Sequence, residues 1–131
     1  MMRWLHITLL CMAFNTASAQ RDSVSTGTAS FYANKFQGRK TSSGEVFDQN
    51  KFTAAHKHLP FGTWLKVTNL SNDSVVWVKV NDRLPKSSKR SVDLTMAAAK
   101  QLNFVRKGLT KVRLEISQPP AKKEEDETVD P

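Results

Sequence analysis

Trp64-Leu65-Lys66-Val67-Thr68-Asn69-Leu70-Ser71-Asn72-Asp73-Ser74-Val75-Val76-Trp77-Val78-Lys79-Val80 decides the fold class. Two runs, Trp64 to Leu70 and Ser74 to Val80, are rich in Val, Trp and Thr, whose branched or aromatic side chains suit a pleated surface. Between them Ser71-Asn72-Asp73 is strong turn chemistry, because short polar side chains bond their own backbone. The stretch therefore predicts a β-hairpin.

Outward from the hairpin the pattern stays extended. Lys111 to Ile116 alternates strictly, with Val112, Leu114 and Ile116 on one face and Lys111, Arg113 and Glu115 on the other. That is a half-buried strand. Thr28 to Tyr32 reads as another short strand. One helix is predicted: Thr95 can cap it, Met96 to Leu102 are good helix formers, and Asn103 and Gly108 turn the chain back. Several short strands, one short helix, long loops and no repeat predict an all-β domain, a small barrel.

The ends differ in kind. Arg3 and the apolar run Leu5 to Phe14 precede Ala17-Ser18-Ala19, the pattern of a secretory signal cut before Gln20. The run is too short to span a bilayer. The single cysteine, Cys11, lies inside it after Leu10, where a lipoprotein anchor needs a small residue. The expectation is a processed protein with no thiol, no disulfide and no membrane anchor, exported to the periplasm or cell-wall space. Residues 1–19 are thus assigned to the signal and 20–26 to a polar lead-in. Residues 27–117 form the domain, and 118–131 (QPPAKKEEDETVDP) a disordered acidic tail.

The chain carries a formal +8, and the charge is unevenly spread. Residues 27–117 hold 16 Lys or Arg against 6 Asp or Glu, whereas the tail holds 2 Lys against 5 acids. A basic domain attracts polyanions. There is no nucleic-acid-binding motif, and an exported protein meets peptidoglycan, with its carboxylates, far more often than nucleic acid.

Four polar residues stand out: Glu45 in a Ser-Gly loop, His56 in Ala-Ala-His-Lys-His, Asp82 just past a strong strand, and Asp93 just before the helix. Each has an ordinary reading as well. Asp82 can cap a turn. Asp93 can stabilise a helix start. His56 can be a satisfied core histidine, and Glu45 solvated surface. His56 and His58 invite a metal, but no third ligand lies nearby, so neither a metal nor an organic cofactor is implied.

At these residues the sequence resembles the rare lipoprotein A (RlpA)-like family. The resemblance runs through six segments in order: Gly27 to Tyr32, Phe36 to Phe47, Phe52 to Pro60, Val67 to Leu70, Val80 to Arg83, and Val92 to Ala99. It covers residues 27–117. It implies a six-stranded double-psi β-barrel with one short helix, an open groove like that of expansins and some endoglucanases, and endolytic lytic transglycosylase activity. The implied cut lies between N-acetylmuramic acid and N-acetylglucosamine, on strands without stem peptides. It also implies that Asp82, His56 and Glu45 are the catalytic positions, with Asp82 the acid/base. The matched segments carry Tyr32, Arg39, Thr41, Arg83 and Asp93 as substrate-binding positions. Asn81-Asp82-Arg83-Leu84-Pro85 departs from the family's Asn-Asp-Arg-Gly-Pro. Leucine does not suit a glycine position that needs φ > 0, so a reshaped loop is expected beside Asp82.

A glycoside hydrolase needs two carboxyls. A lytic transglycosylase needs one, because the muramic 6-hydroxyl is the nucleophile and the product is a 1,6-anhydro end. The reading gives Asp82 a raised pKa, so that it can donate a proton near neutral pH. Arg83 faces away, His56 bonds Asp82 or the sugar, and Glu45 holds substrate or raises the pKa of Asp82 by its charge. Aromatics such as Tyr32, Phe36 and Trp64 can line the groove or equally belong to the core, and core is the favoured reading for Trp64. The partner is the peptidoglycan glycan strand, with envelope or division proteins as further partners. The rival readings are a non-catalytic peptidoglycan-binding module, a hydrolase on the same barrel, and a structural protein that recruits envelope partners.

Overall fold

In the computed structural model the described residues are 23–121. The assigned signal and residues 122–131 of the tail lie outside them. Six strands form a closed barrel: β1 (Val24–Phe31), β2 (Thr53–His56), β3 (Trp64–Asn69), β4 (Val75–Arg83), β5 (Val92–Leu94) and β6 (Thr110–Ile116). The order around the barrel is β1-β5-β2-β4-β3-β6. The β1–β5 and β2–β4 pairs are parallel and the other four antiparallel. A helix α1 (Met96–Gln101) follows β5, and a 3-10 turn (Asn34–Phe36) follows β1.

The predicted hairpin is β3–β4, in register from Trp64↔Lys79 to Thr68↔Val75. Its turn is tied by Asp73 N–H donating to the Asn69 carbonyl (2.8 Å), with Asp73 at φ 60°. Aspartate tolerates that left-handed conformation better than most residues.

Inward residues alternate along every long strand. Val76, Val78 and Val80 of β4 meet Leu65 and Val67 of β3 and Val112 and Leu114 of β6. Ala54, Val92 and Leu94 fill the parallel side, and Ala98, Ala99, Leu102 and Phe104 close one end. Each fully buried Val or Leu contributes about 1.5–3 kcal/mol. Closure leaves no sheet edge unpaired, so the barrel protects its own backbone.

The sequence misses β2 and β5. β2 is buried throughout and shows no period-2 alternation, and β5, though it alternates, is only three residues long. Two further boundaries move. β1 begins at Val24, within the assigned lead-in. β4 runs through Arg83, so Asp82 lies inside the strand rather than past its end. Likewise Asp93 is the middle residue of β5. Gly27 is required by a close approach: a Cβ there would come within 1.9 Å of the Ser91 hydroxyl oxygen.

Candidate active site

The site lies where the parallel pair β2–β4 slips register. Ala54 faces Val80 and both are core, but the next step pairs Ala55 with Asp82, so Asn81 is the extra residue of a bulge. Ala55 and Asp82 then point outward. Ala55 also pairs with Asp93 of β5, and Asp93 with Ser30 of β1. Ser30, Asp93, Ala55 and Asp82 therefore form one outward row across four strands. Two inter-strand steps separate the Asp93 and Asp82 backbones, about 10 Å. Ala55, between the two carboxylates, is itself almost fully buried (1% exposed).

Asp82 is held by three donors. The Tyr32 hydroxyl donates to Oδ2 at 2.5 Å, and the N–H groups of Ser42 and Arg83 donate to Oδ1 at 2.9 Å each. Partial burial pushes the Asp82 pKa up, but these hydrogen bonds outweigh it and hold the carboxyl below its ordinary value. The raised pKa expected from the sequence is thus absent in the free protein, because hydrogen bonding to the charged form outweighs desolvation. Tyr32 is correspondingly pushed well above the usual phenol range, by burial first and then by its bond to Asp82. Its ring packs on Phe47 (centroids 4.4 Å apart) and Phe36 (5.8 Å).

The loop from Gly38 to Phe47 brings Ser42 to Asp82. It folds on itself through Phe47 N–H to the Arg39 carbonyl (2.7 Å) and Thr41 N–H to the Glu45 carbonyl (2.8 Å). Gly44 sits at φ 88°, which only glycine adopts freely. Ser43 N–H anchors the loop to the Asn81 carbonyl (3.2 Å), and Asn81 Nδ2 donates to Glu45 Oε2 (3.3 Å). Glu45 is thus beside the site but bonded to Asn81, not to Asp82. Thr41 is buried, its hydroxyl engaged by Ser43 and the Glu45 carbonyl, so it shapes the loop rather than facing the groove.

The other predicted positions separate. Asp93 accepts from Arg90 Nε (2.8 Å) and NH2 (3.1 Å) and from the Ser30 hydroxyl, so its carboxylate is fully engaged. Arg83 turns away from Asp82 and lays its guanidinium over Phe61, 4.1 Å from the ring centroid. Arg39 stacks over Phe36 at 5.6 Å and does not reach Asp82.

His56 is not hydrogen-bonded to Asp82. Its partner across the register is Arg83, and its Nδ1 accepts from His58 N–H and Leu59 N–H at 3.2 Å each. Alternation turns it back toward one barrel end, where it borders a small pocket with Ser25, Leu65, Leu114 and Ile116. Burial first, then His58, Arg83 and Lys57, lower its pKa to about 4. Among the described residues no three His, Cys, Asp or Glu gather as a metal site requires.

Leu84 is not a strained substitute for glycine. The only described non-glycine residues at positive φ are Asp73 and Asn103. Leu84 is buried, and its N–H donates to the His56 carbonyl (3.3 Å). Sequence reasoning missed Gln49. Its N–H takes Gln37 Oε1 (2.8 Å), its Nε2 donates to the Tyr32 carbonyl (2.9 Å), and its Oε1 caps the helix at Met96 N–H (2.7 Å). One buried amide therefore ties together the helix start and the strand end that carries Tyr32.

A closed six-stranded barrel of this strand order with one helix defines the protein as a double-psi β-barrel. Within that class the chain belongs to the family described as lytic transglycolase, which matches residues 24–114. The endolytic peptidoglycan transglycosylase RlpA of Haemophilus influenzae is 51% identical over 89 residues, which is 68% of this chain and 31% of that protein. The Neisseria meningitidis protein of the same name is 50% identical over 90 residues, covering 69% of this chain and 38% of its own. The chain thus spans about a third of the length of these relatives. Among solved structures, a Clavibacter michiganensis expansin superposes with a TM-score of 0.60 at 20% identity, covering 75% of this chain and 52% of that one. The Streptomyces papain inhibitor does so with a TM-score of 0.57 at 20% identity, covering 70% and 92%. At that identity the two share the barrel and nothing finer.

Proposed function

We propose that this protein is an exported endolytic lytic transglycosylase that cuts peptidoglycan glycan between N-acetylmuramic acid and N-acetylglucosamine. It acts in the periplasm or cell-wall space, leaves 1,6-anhydromuramic ends and prefers strands without stem peptides. The observation that carries this reading is the inequality of the two groove carboxylates. Asp93 is locked by Arg90 and Ser30, whereas among the described residues Asp82 has no ion pair and is held by neutral donors. Asp82 is the carboxyl of that row left to act as acid/base, and a single acid/base suits an intramolecular nucleophile. The relatives named as peptidoglycan transglycosylases support the same assignment.

In this mechanism the resting Asp82 is a carboxylate. A glycan entering the groove excludes water and competes for the Tyr32 and Ser42 donors, and both effects raise the Asp82 pKa toward protonation. Protonated Asp82 gives its proton to the glycosidic oxygen as the C1–O bond breaks. The 6-hydroxyl of the same muramic ring then attacks C1 and returns its proton to Asp82. The proton count closes and no water is consumed. Glu45, anchored to Asn81, lends negative charge to the oxocarbenium-like centre and holds substrate. His56 supports the β2 corner from behind, with Nδ1 fixing the 57–59 turn. Tyr32 positions Asp82.

The test is digestion of sacculi, intact and stripped of stem peptides, by the purified protein and by Asp82→Asn, with soluble products read by mass spectrometry. Anhydro products should appear from the parent protein, and the variant's rate should fall by about 10²–10⁴. Products heavier by one water would identify a hydrolase. Equal rates for the two proteins would remove Asp82 from the mechanism. The three donors that keep Asp82 ionised also favour a second reading, a peptidoglycan-binding module. Retention on sacculi without released products would establish it.

A further inference from the structure

Tryptophan is the side chain most easily explained by burial, and Trp64 reads as core in the sequence. The barrel places it elsewhere. Leu65 and Val67 of β3 point inward, so Trp64 and Lys66 point out. Val76, Val78 and Val80 of β4 point inward, so Trp77 and Lys79 point out. The register pairs Trp64 with Lys79 and Lys66 with Trp77. The hairpin's outer face is therefore a checkerboard of indoles and ammonium groups, and both tryptophans of the described residues lie on it. Lys66 Nζ covers Trp77, 5.8 Å from the ring centroid, whereas no cation lies over Trp64 among the described residues.

Beside Trp64 a cleft of about 420 Å³ opens, lined by Phe52, Lys51, Lys79, Asn50 and Glu45. That volume lies in the range of small-ligand sites. Phe52 leaves 42% of its surface exposed, a large ring held out to water. The cleft lies next to the row that carries Asp82. Thr53, which lines it, pairs with Lys79 just as Ala55 pairs with Asp82. Two residues of strand, about 7 Å, separate the rows. Glu45 belongs to both, lining the cleft while its carboxylate takes the Asn81 amide.

From this arrangement we infer that the Trp64–Phe52 cleft is a second glycan-binding subsite, which holds the strand one or more sugars away from Asp82, with Lys79 and Lys51 receiving a sugar-borne carboxylate. The inference rests on the proposed function for the identity of the glycan. The apolar C–H face of a pyranose matches an aromatic ring, and its hydroxyl and acetamido groups need a polar rim, which Asn50 and Glu45 supply. Two ammonium groups beside the rings select an anionic sugar over a neutral one. A muramic residue without its stem peptide offers a free lactyl carboxylate at that edge, and amide formation with the peptide removes that charge. The cleft therefore reads the chemical difference between stripped and substituted strands at a place remote from bond cleavage. A cross-strand Trp–Lys pair also stabilises a hairpin, so the test has to separate binding from folding.

Binding is measured in the Asp82→Asn background, where cleavage does not interfere, by calorimetry and tryptophan fluorescence. The probes are stripped peptidoglycan strands and neutral N-acetylglucosamine oligomers. Trp64→Ala and Phe52→Ala should each weaken both probes by about tenfold. Lys79→Gln should weaken only the anionic strand and flatten its salt dependence, because one charge contact is lost. Thermal unfolding reports the fold of each variant. Should Trp64→Ala fail to fold, protection of the parent's indoles from acrylamide quenching by bound glycan carries the test. Unchanged affinities in folded Phe52→Ala and Lys79→Gln, or no protection, overturn the subsite. If no protein cuts sacculi yet these variants lose binding, the subsite stands and the catalytic reading falls. If sacculi are cut normally and binding is unmoved, only the subsite falls.

Discussion

Tyr32 shows how one side chain sets the chemistry of another. Its hydroxyl donates to Asp82 from an aromatic nest of Phe36 and Phe47, which fixes the ring and excludes water. Removing that donor in Tyr32→Phe leaves Asp82 with its burial and its bonds to Ser42 and Arg83, so its pKa should rise. The sign is definite: a depressed carboxylate stabilises the fold above its unfolded pKa, and that stability is lost as pH falls through the folded value. In Tyr32→Phe that stabilisation should be smaller and used up at higher pH, and the limb of the pH–rate profile belonging to Asp82 should move up. NMR titration of the Asp82 carboxyl checks it, and a downward or absent shift would contradict the assignment. At this scale the sequence was partly legible. Asp82, Glu45 and His56 stand in recognisable segments. That Asp82 starts as a carboxylate depends on Ser42, forty residues away, and on a strand bulge, neither of which leaves a local signature. The opposite holds for Leu84: it breaks the expected run, yet its backbone is not at positive φ and its side chain is buried.

Elements carry the next set of consequences. The hairpin was readable because both strands are long, β-prone and separated by turn chemistry. β2 and β5 were not: β2 is buried throughout and loses its alternation, and β5 is too short at three residues to display a period. Yet those two strands deliver Ala55 and Asp93 to the groove row and turn His56 away from it. With its pKa lowered to about 4, His56 stays neutral in the folded protein, while in the unfolded chain it takes up a proton below about 6.5. Between those values the unfolded state binds more protons, so stability should fall on acidification, by at most about 1.4 kcal/mol per pH unit. Urea midpoints measured from pH 7 to 4 test this, and His56→Gln should flatten the slope; an equal slope would place the dependence elsewhere. Gln49 joins elements in another way. Gln49→Ala removes the acceptor of Met96 N–H at the start of the Thr95-capped helix and the donor to the Tyr32 carbonyl, and leaves buried polar groups unpaired. A loss of about 2–4 kcal/mol should follow, read as a lowered Tm. The rate should fall too, because Tyr32 loses its anchor. A rate loss without any Tm change would separate the two roles.

For the whole molecule, charge and closure are the governing facts. Residues 27–117 carry 16 basic against 6 acidic side chains on a barrel that buries its apolar residues inside a continuous ring of strands. The only cysteine is Cys11, so no disulfide within the chain contributes to its stability. The closing pair is β1 with β6, which runs antiparallel from Val24↔Glu115 and is sealed by Ile116 N–H to the Ser23 carbonyl at 2.9 Å. The first and last strands of the domain therefore enter and leave at a single point on the surface, beside the His56 pocket, which Ser23 and Ile116 also border. Any chain attached before Ser23 and any attached after Ile116 pull on that same point. In mechanical terms the barrel hangs from one pivot. A tethered copy can swing and rotate to meet glycan strands at many angles, while tension along the tether passes from β1 directly to β6 and bypasses the strand bulge that holds Asp82.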